Sequence, residues 1–384
     1  MLGPRATRAG TGGGTGGLEE APRTAAEAAR AVEAVLGEHL DTRVREAART
    51  DPVFAQEVAS RVASFALRGG KRLRTAFVWC GWLAAGATGD HRTPLRLGAA
   101  LELLQTCALV HDDVMDESPV RRGAPAVHMD FARIHRDSRM RGSAASFSAG
   151  AAVLAGDLAL TWADDLLTEI ALSDPHGPRL HQEWRGMRSE MIAGQYLDMR
   201  AQATGSADPA QARNIAVLKS ALYTVERPLV LGASLAAADT RTTDALRSAG
   251  RCAGLAFQLR DDLLGAFGDP AVTGKPADED LRSRKVTYLL TVALRRAAES
   301  GDTEALAVLG PGTAAADRDT VADMRAALHR TGARALVEEE ITALSSSSLS
   351  HFASSGAERE ARREFASLVA RALGTAPAAD VEDV

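Results

Sequence analysis

An all-α fold built as one large helical bundle is the architecture that three features of this 384-residue chain predict. From about Thr24 onward Ala, Leu, Glu and Arg dominate, the residues that lose least on entering a helix. Aromatic content is 4% and strand-like alternation of apolar and polar residues is absent. Several predicted helices are apolar nearly all round, which places them inside a large bundle and not on its surface. Hydrophobic residues make up 46% of the chain, enough for a sizeable core, and no internal linker divides it.

Residues 1–24, MLGPRATRAGTGGGTGGLEEAPRT, are too rich in Gly and Thr to form a core and are expected to be disordered. They lack the apolar run of a secretory signal. Helices are then expected over Ala25 to Leu40, Thr93 to Met115, Ala151 to Ala171, Ile215 to Ala238, Thr243 to Phe267, Val286 to Glu299 and Thr320 to Ser345. Gly- and Pro-bearing breaks at Arg68 to Gly70, Ser118 to Pro125, Ser173 to Pro178 and Gly268 to Asp278 separate them. The domain is expected to span 25–373, with 374–384 a flexible tail. No run of eighteen uninterrupted apolar residues occurs, so no transmembrane helix is predicted. Cys80, Cys107 and Cys252 are scattered in apolar contexts without metal or disulfide spacing, which points to a reducing cytoplasm. The net charge of -5 gives no general attraction to nucleic acid or anionic membrane, so any anion-binding surface must be local.

Leu97 to Val114, LGAALELLQTCALVHDDV, carries only Glu102 as a charge before its acidic pair: a central helix with its chemistry at one end. On a helix Asp112 and Asp116 lie about 40° apart in projection and can share metals, with Asp113 on the flank. A second pair, Asp261-Asp262, follows Phe257-Gln258 and precedes FGDPAVTGKPADEDLRSRKVT, which holds Lys275, Asp280 and Lys285. Carboxylates in apolar helices need compensating cations. Clustered with two ammonium groups, they suit a Mg²⁺-bound diphosphate better than a bare metal, because Mg²⁺ binds through one or two carboxylates plus phosphate oxygens. The nine His show no paired ligand spacing. Asp164-Asp165 has the same look but no basic or glycine-rich context, and reads as structural.

The chain has only four lysines, Lys71, Lys219, Lys275 and Lys285, against a large excess of arginine. Each falls beside one of these segments, which fits sites where a compact ammonium is preferred on phosphate. In GGKRLR, Lys71 and Arg74 stand one turn apart and could grip a phosphate; a solvated basic helix start is the plainer alternative. Arg121-Arg122-Gly123 adds a second basic pair.

Taken together, GGKRLR, Gln105 followed by HDDVMD, RRG, Lys219-Ser220, FQLRDD and GKPADEDLRSRK resemble, in order and spacing, the trans-isoprenyl diphosphate synthase (polyprenyl synthetase) family over roughly Ala25 to Leu373. HDDVMDESPVRRGAPAVH, GQYLDM and LYTVERPLVLGA look most like actinobacterial geranylgeranyl diphosphate synthases. The resemblance implies a bundle of the isoprenoid synthase type with a central cavity in which two diphosphates bind at opposite sides. Asp112, Asp116 and Asp261 match the metal carboxylates, with three Mg²⁺ partly held by the allylic diphosphate (dimethylallyl, geranyl or farnesyl). Arg121, Lys219, Ser220, Lys275 and Lys285 match contacts to that group, while Lys71, Arg74, Gln105 and Arg122 match the metal-free isopentenyl diphosphate site. Gln258 and the Lys219-Ser220 turn match positions whose oxygen dipoles face an allylic cation, and the loop from Gly268 to Lys285 would close to exclude water. The resemblance also implies a homodimer.

The chain departs from the family at Gly265, where many relatives carry a third Asp, at Ser220 for a common Thr, and at Asp278 and Arg284, where relatives often have Gly. Positions four and five before Asp112 line the tail tunnel in relatives. Here they are Ala108 and Cys107, both small, and a further helical turn adds about 5.4 Å. The floor is therefore expected near Leu104 or Leu101 and the product to be geranylgeranyl diphosphate (C20). Rival readings are a farnesyl or longer product, a terpene cyclase of related fold, and a non-catalytic regulatory subunit. The isopentenyl-site residues argue against the cyclase and the intact first motif against the subunit.

Overall fold

A computed structural model describes residues 21–268, 278–310 and 317–375. Most of the Gly-rich opening, the tail from residue 376 and Lys275 with most of its loop lie outside the described residues. The first long helix, α1 (Ala25–Thr50), starts on Thr24, whose hydroxyl accepts from Glu27 N at 3.1 Å while Glu27 reaches back to Arg23 N at 2.7 Å, close to a capping box. A one-turn helix (Pro52–Phe54), a π turn (Ala55–Ala59) and α2 (Ser60–Leu67) lead to α3 (Leu73–Ala84) and α4 (Arg92–Met115). After α5 (Val127–Asp137) come the long hairpin partners α6 (Ala144–Ser173) and α7 (Gly177–Thr204), then α8 (Pro209–Ala216), a π segment (Val217–Glu226), α9 (Arg227–Leu235) and α10 (Thr240–Phe267). The chain closes with α11 (Glu279–Arg282), α12 (Tyr288–Ser300), α13 (Thr303–Leu309), α14 (Arg318–Arg330), α15 (Ala333–Ala353) and α16 (Arg359–Leu373).

The expected central helix is central. Along α4, Leu95, Leu97, Leu101, Leu103 and Leu104 are fully buried, each burial contributing about 1.5–3 kcal/mol. It packs on α6 along much of its length, with α1 and α3 against its other sides. A second layer is made by α10 on α15 and on the π segment, and by α9 on α3.

The contact between α3 and α9 runs through backbone at two points. A Cβ on Gly81 of α3 would lie 2.8 Å from Leu229 C, and one on Gly232 of α9 would lie 2.8 Å from Val78 C, so each glycine admits the other helix. Gly232→Ala is expected to lower unfolding free energy by about 2 kcal/mol or more, because a carbonyl in a packed helix cannot swing aside. Gly37→Ala on α1, where a Cβ meets nothing within 4 Å, should stay within about 1 kcal/mol of wild type. Denaturant melts of the two variants check this; equal midpoints would contradict it.

Three expectations are corrected. The helix expected over Thr320 to Ser345 is two, α14 and α15, because Gly332 takes φ +70° and turns the chain. Ile215 to Ala238 is not one α-helix: Val217–Glu226 is π-helical, its register closed by Arg227 N–H donating to Leu222 O, and Pro228 has no N–H with which to restore the i−4 pattern. Strand is also present, as a ribbon of β1 (Val120–Arg121) and β2 (Ala124–Pro125), turned by Arg122 at φ +53° and Gly123 at φ +71°. By length and composition α6 could also cross a membrane, which the uninterrupted-run criterion passes over. It packs on α4 and α5, and leaves Val153 and Leu154 exposed on its outer side.

Candidate active site

Two helices carry carboxylates at their ends, against their own dipoles. Asp112, Asp113 and Asp116 occupy the end of α4, with Asp116 its C-cap, and Asp261 and Asp262 lie in the last turns of α10. A helix C-terminus carries about half a negative charge, so acidic groups there require cations from elsewhere. They come from distant segments. Lys219, on the π segment, donates to Asp112 Oδ1 at 3.2 Å and to Asp198 Oδ2 at 2.7 Å. Gln195, one turn before Asp198 on α7, donates to the same Asp112 oxygen at 3.2 Å. Arg121 donates from Nη2 to Asp112 Oδ2 at 3.1 Å and from Nε to Asp113 Oδ1 at 2.6 Å.

Burial pushes Asp112 up, and Lys219, Lys285 and Arg121 more than offset it, so its carboxyl lies below the ordinary range. Asp116 goes the other way, raised by burial and by the charge of Asp112. On α10, burial and then the charge of Asp280 push Asp262 up to about 7, although Gln258 Nε2 donates to it at 2.8 Å. Burial would strip the charge from Lys285, yet Asp198, Asp280, Asp116 and Asp112 together hold it charged. Those four come from α7, α11 and α4, and Lys285 also acts on Asp262 of α10, so its charge reaches both acidic ends.

The carboxylates raised by burial and then by like charges mark a place short of positive charge, and their hard oxygen donors suit Mg²⁺. Among the described residues no three acidic, imidazole or thiol side chains converge closely enough to cage an ion themselves.

Across the ribbon the charge inverts. Arg121, in β1, faces the carboxylates; Arg122, one residue on, lies against Gly70, where a Cβ would come 3.2 Å from its Nη2, and over the Phe65 ring at 5.7 Å. Burial lowers the pKa of Arg122, and Arg72, Arg74 and Arg121 lower it further against Glu102. Crowded cations of this kind form an anion site. Arg74 donates to Thr224 Oγ1 at 3.0 Å and lies 4.1 Å over the Tyr223 ring; Gln105 keeps a buried Oε1 without a partner, and Lys71 is exposed beside Gly70. Arg72 belongs to the core instead, buried and donating to Glu102 at 2.8 Å.

Cys107 is buried, its thiol pushed up to about 12 by burial and by Asp157 and Asp164 on α6, whereas Ala108 is half-buried. Ser220 is half-buried beside Lys219. The decoy Asp164 binds Trp184 Nε1 at 2.7 Å and pairs with Arg188, as a structural residue should.

Residues 56–328 match the family model described as polyprenyl synthetase. The chain belongs to the polyprenyl synthetase family. It is 38% identical to the geranylgeranyl pyrophosphate synthase of Corynebacterium glutamicum solved with isoprenyl diphosphate and magnesium, covering 91% of this chain and 98% of that one at a TM-score of 0.85. It is 32% identical to the geranylfarnesyl diphosphate synthase of Aeropyrum pernix over 63% of this chain and 71% of that protein. It is also 33% identical to the geranylgeranyl diphosphate synthase of Mycobacterium tuberculosis over 60% of each. Family and fold together make the chain a trans-prenyltransferase on an isoprenoid synthase bundle.

Sequence reasoning passed over Gln195, Asp198 and Asp113 as site residues. The available signal was Gly194, where a Cβ would lie 2.7 Å from Lys219 Cα: the glycine admits the π segment and so brings Lys219 onto α7. At Asp278 and Arg284 the backbone does take left-handed values, φ +70° and +50°, costing about 1–2 kcal/mol each. Side chains compensate, since Asp278 pairs with Arg325 and Arg284 donates to Val308 O at 2.9 Å and Gly310 O at 2.8 Å.

Proposed function

We propose that this prenyltransferase joins an allylic diphosphate to isopentenyl diphosphate with Mg²⁺ and releases geranylgeranyl diphosphate. The opposition of an acidic and a basic pole across one two-residue ribbon, Arg121 facing one and Arg122 the other, carries this reading. Asp112, Asp116 and Asp261 would hold three Mg²⁺ with the allylic diphosphate, and Arg121, Lys219, Lys275 and Lys285 would bind the same group. Bound Mg²⁺ would supply positive charge to the leaving pyrophosphate as the allylic carbon-oxygen bond breaks. Lys71, Arg74, Gln105 and Arg122 would hold isopentenyl diphosphate so that its double bond attacks the allylic carbon, with pyrophosphate taking the released proton. The oxygens of Gln258 and of the Lys219-Ser220 turn would face the cation.

Small Cys107 and Ala108 above the fully buried Leu104 and Leu101 support a C20 product. On α7, Ile192, Tyr196 and Met199 recur at helical spacing and are exposed, giving that helix one apolar face, while α6 leaves Val153 and Leu154 exposed. That face fits a second copy of the chain, and we read the enzyme as a cytoplasmic homodimer. Purified protein given isopentenyl diphosphate, Mg²⁺ and dimethylallyl, geranyl or farnesyl diphosphate is expected to yield C20 alcohol after dephosphorylation. No condensation with any primer would remove the synthase reading, and cyclised hydrocarbon would replace it with a cyclase.

A further inference from the structure

At Gly265 the second acidic motif lacks the third carboxylate that the resemblance leads one to expect, which left that end of the site resting on Asp261. The space of the missing side chain is filled. A Cβ built on Gly265 would lie 2.8 Å from Asp280 Cγ and nearer still to Asp280 Oδ2, so the Asp280 carboxylate stands where a side chain at 265 would extend. We propose that Asp280 serves as the third carboxylate of the second motif, supplied from α11 because residue 265 is glycine.

Its placement is over-determined. Just before Asp280 the left-handed Asp278 pairs with Arg325, whose Nε also donates to Ala266 O at 2.8 Å, one residue beyond Gly265 on α10. Just after it Leu281 is buried, Lys285 N donates back to Asp280 O at 2.8 Å, and Arg284 is tied to Val308 O and Gly310 O. The short helix α11 is thus held to α10 on one side and to α13 on the other. Glycine at 265 leaves the Asp280 carboxylate in this place, and a Cβ there would push it aside. An acid on this rigid turn replaces one on the helix, with Lys285 five residues on along the same segment.

This inference rests on the metal–diphosphate reading above and is tested apart from turnover. Mg²⁺-dependent binding of inorganic pyrophosphate to the full chain, followed by calorimetry, is expected to weaken about tenfold or more in Asp280→Asn, as loss of a carboxylate at a metal site does. Gly265→Ala, which leaves Asp280 in the chain but takes its space, should weaken it similarly while circular dichroism stays unchanged. Gly265→Asp combined with Asp280→Ala, which returns a carboxylate from the helix, should bind within about threefold of wild type, a coupling that independent sites would not show. Unchanged affinity in Asp280→Asn or Gly265→Ala, or a double variant no better than Asp280→Ala, would overturn the role of Asp280. Failure of wild type to bind pyrophosphate with Mg²⁺ would overturn the metal–diphosphate reading itself, and this inference with it.

Discussion

Asp112→Asn is expected to lower kcat/KM for the allylic substrate by about a thousandfold, the scale seen when one preorganised charge is removed from a reacting group. Asp112 is the hub of the acidic pole: Lys219, Gln195 and Arg121 all converge on its two oxygens. An amide in its place offers one acceptor and no charge. The cations then lose their common partner, and a metal on this side loses a carboxylate that nearby cations keep ionised. The informative comparison is Asp164→Asn, which disturbs the bonds to Trp184 and Arg188 and no bond to Asp112. It should cost stability yet leave kcat/KM within about threefold. Steady-state kinetics at saturating Mg²⁺, with thermal melts of both variants, separate the two. A loss of less than tenfold in Asp112→Asn would contradict the assigned role.

The second large effect concerns what is made. Ala108→Phe is expected to shift the main product from the proposed C20 to C15 with little loss of total condensation, because one aromatic ring closes about one helical turn of the tail tunnel that the resemblance implies, close to an isoprene unit. Cys107→Phe should shorten the product as well, with an added stability cost. Cys107 is buried against α6, and enlarging a packed position costs about 1–3 kcal/mol, whereas half-buried Ala108 has room. Chromatography of the dephosphorylated products reads the outcome, and an unchanged C20 distribution in both variants would refute the tunnel account.

Much of the fold and of the candidate site was legible in the sequence. The helices follow from composition and period, and the i, i+4 spacing of Asp112 and Asp116 places them together on any helix. Lys219 and Lys285 stood out as two of only four lysines. Less legible was the sense of each contact. Arg121 and Arg122 read as one basic pair, but a turn with positive φ at Arg122 and Gly123 sends them to opposite poles. Asp113 read as a flanking residue, yet it anchors Arg121 from a fully buried position. Gly265 read as a loss of charge because the sequence shows only that an acid is missing there.

The amino-acid sequence by itself determined the all-α class, the two acidic helix ends and the family, because helical period, dipole-opposed charge and motif spacing are local properties of the chain. Tertiary structure alone decided which cation meets which carboxylate, that Gln195 and Asp198 join the site through the close approach at Gly194, and that Asp280 reaches the space beside Gly265. The reason is physical: charge compensation acts through space over a few ångströms. Partners far apart in sequence, such as Asp112 and Lys219, are brought within that range only by helix packing.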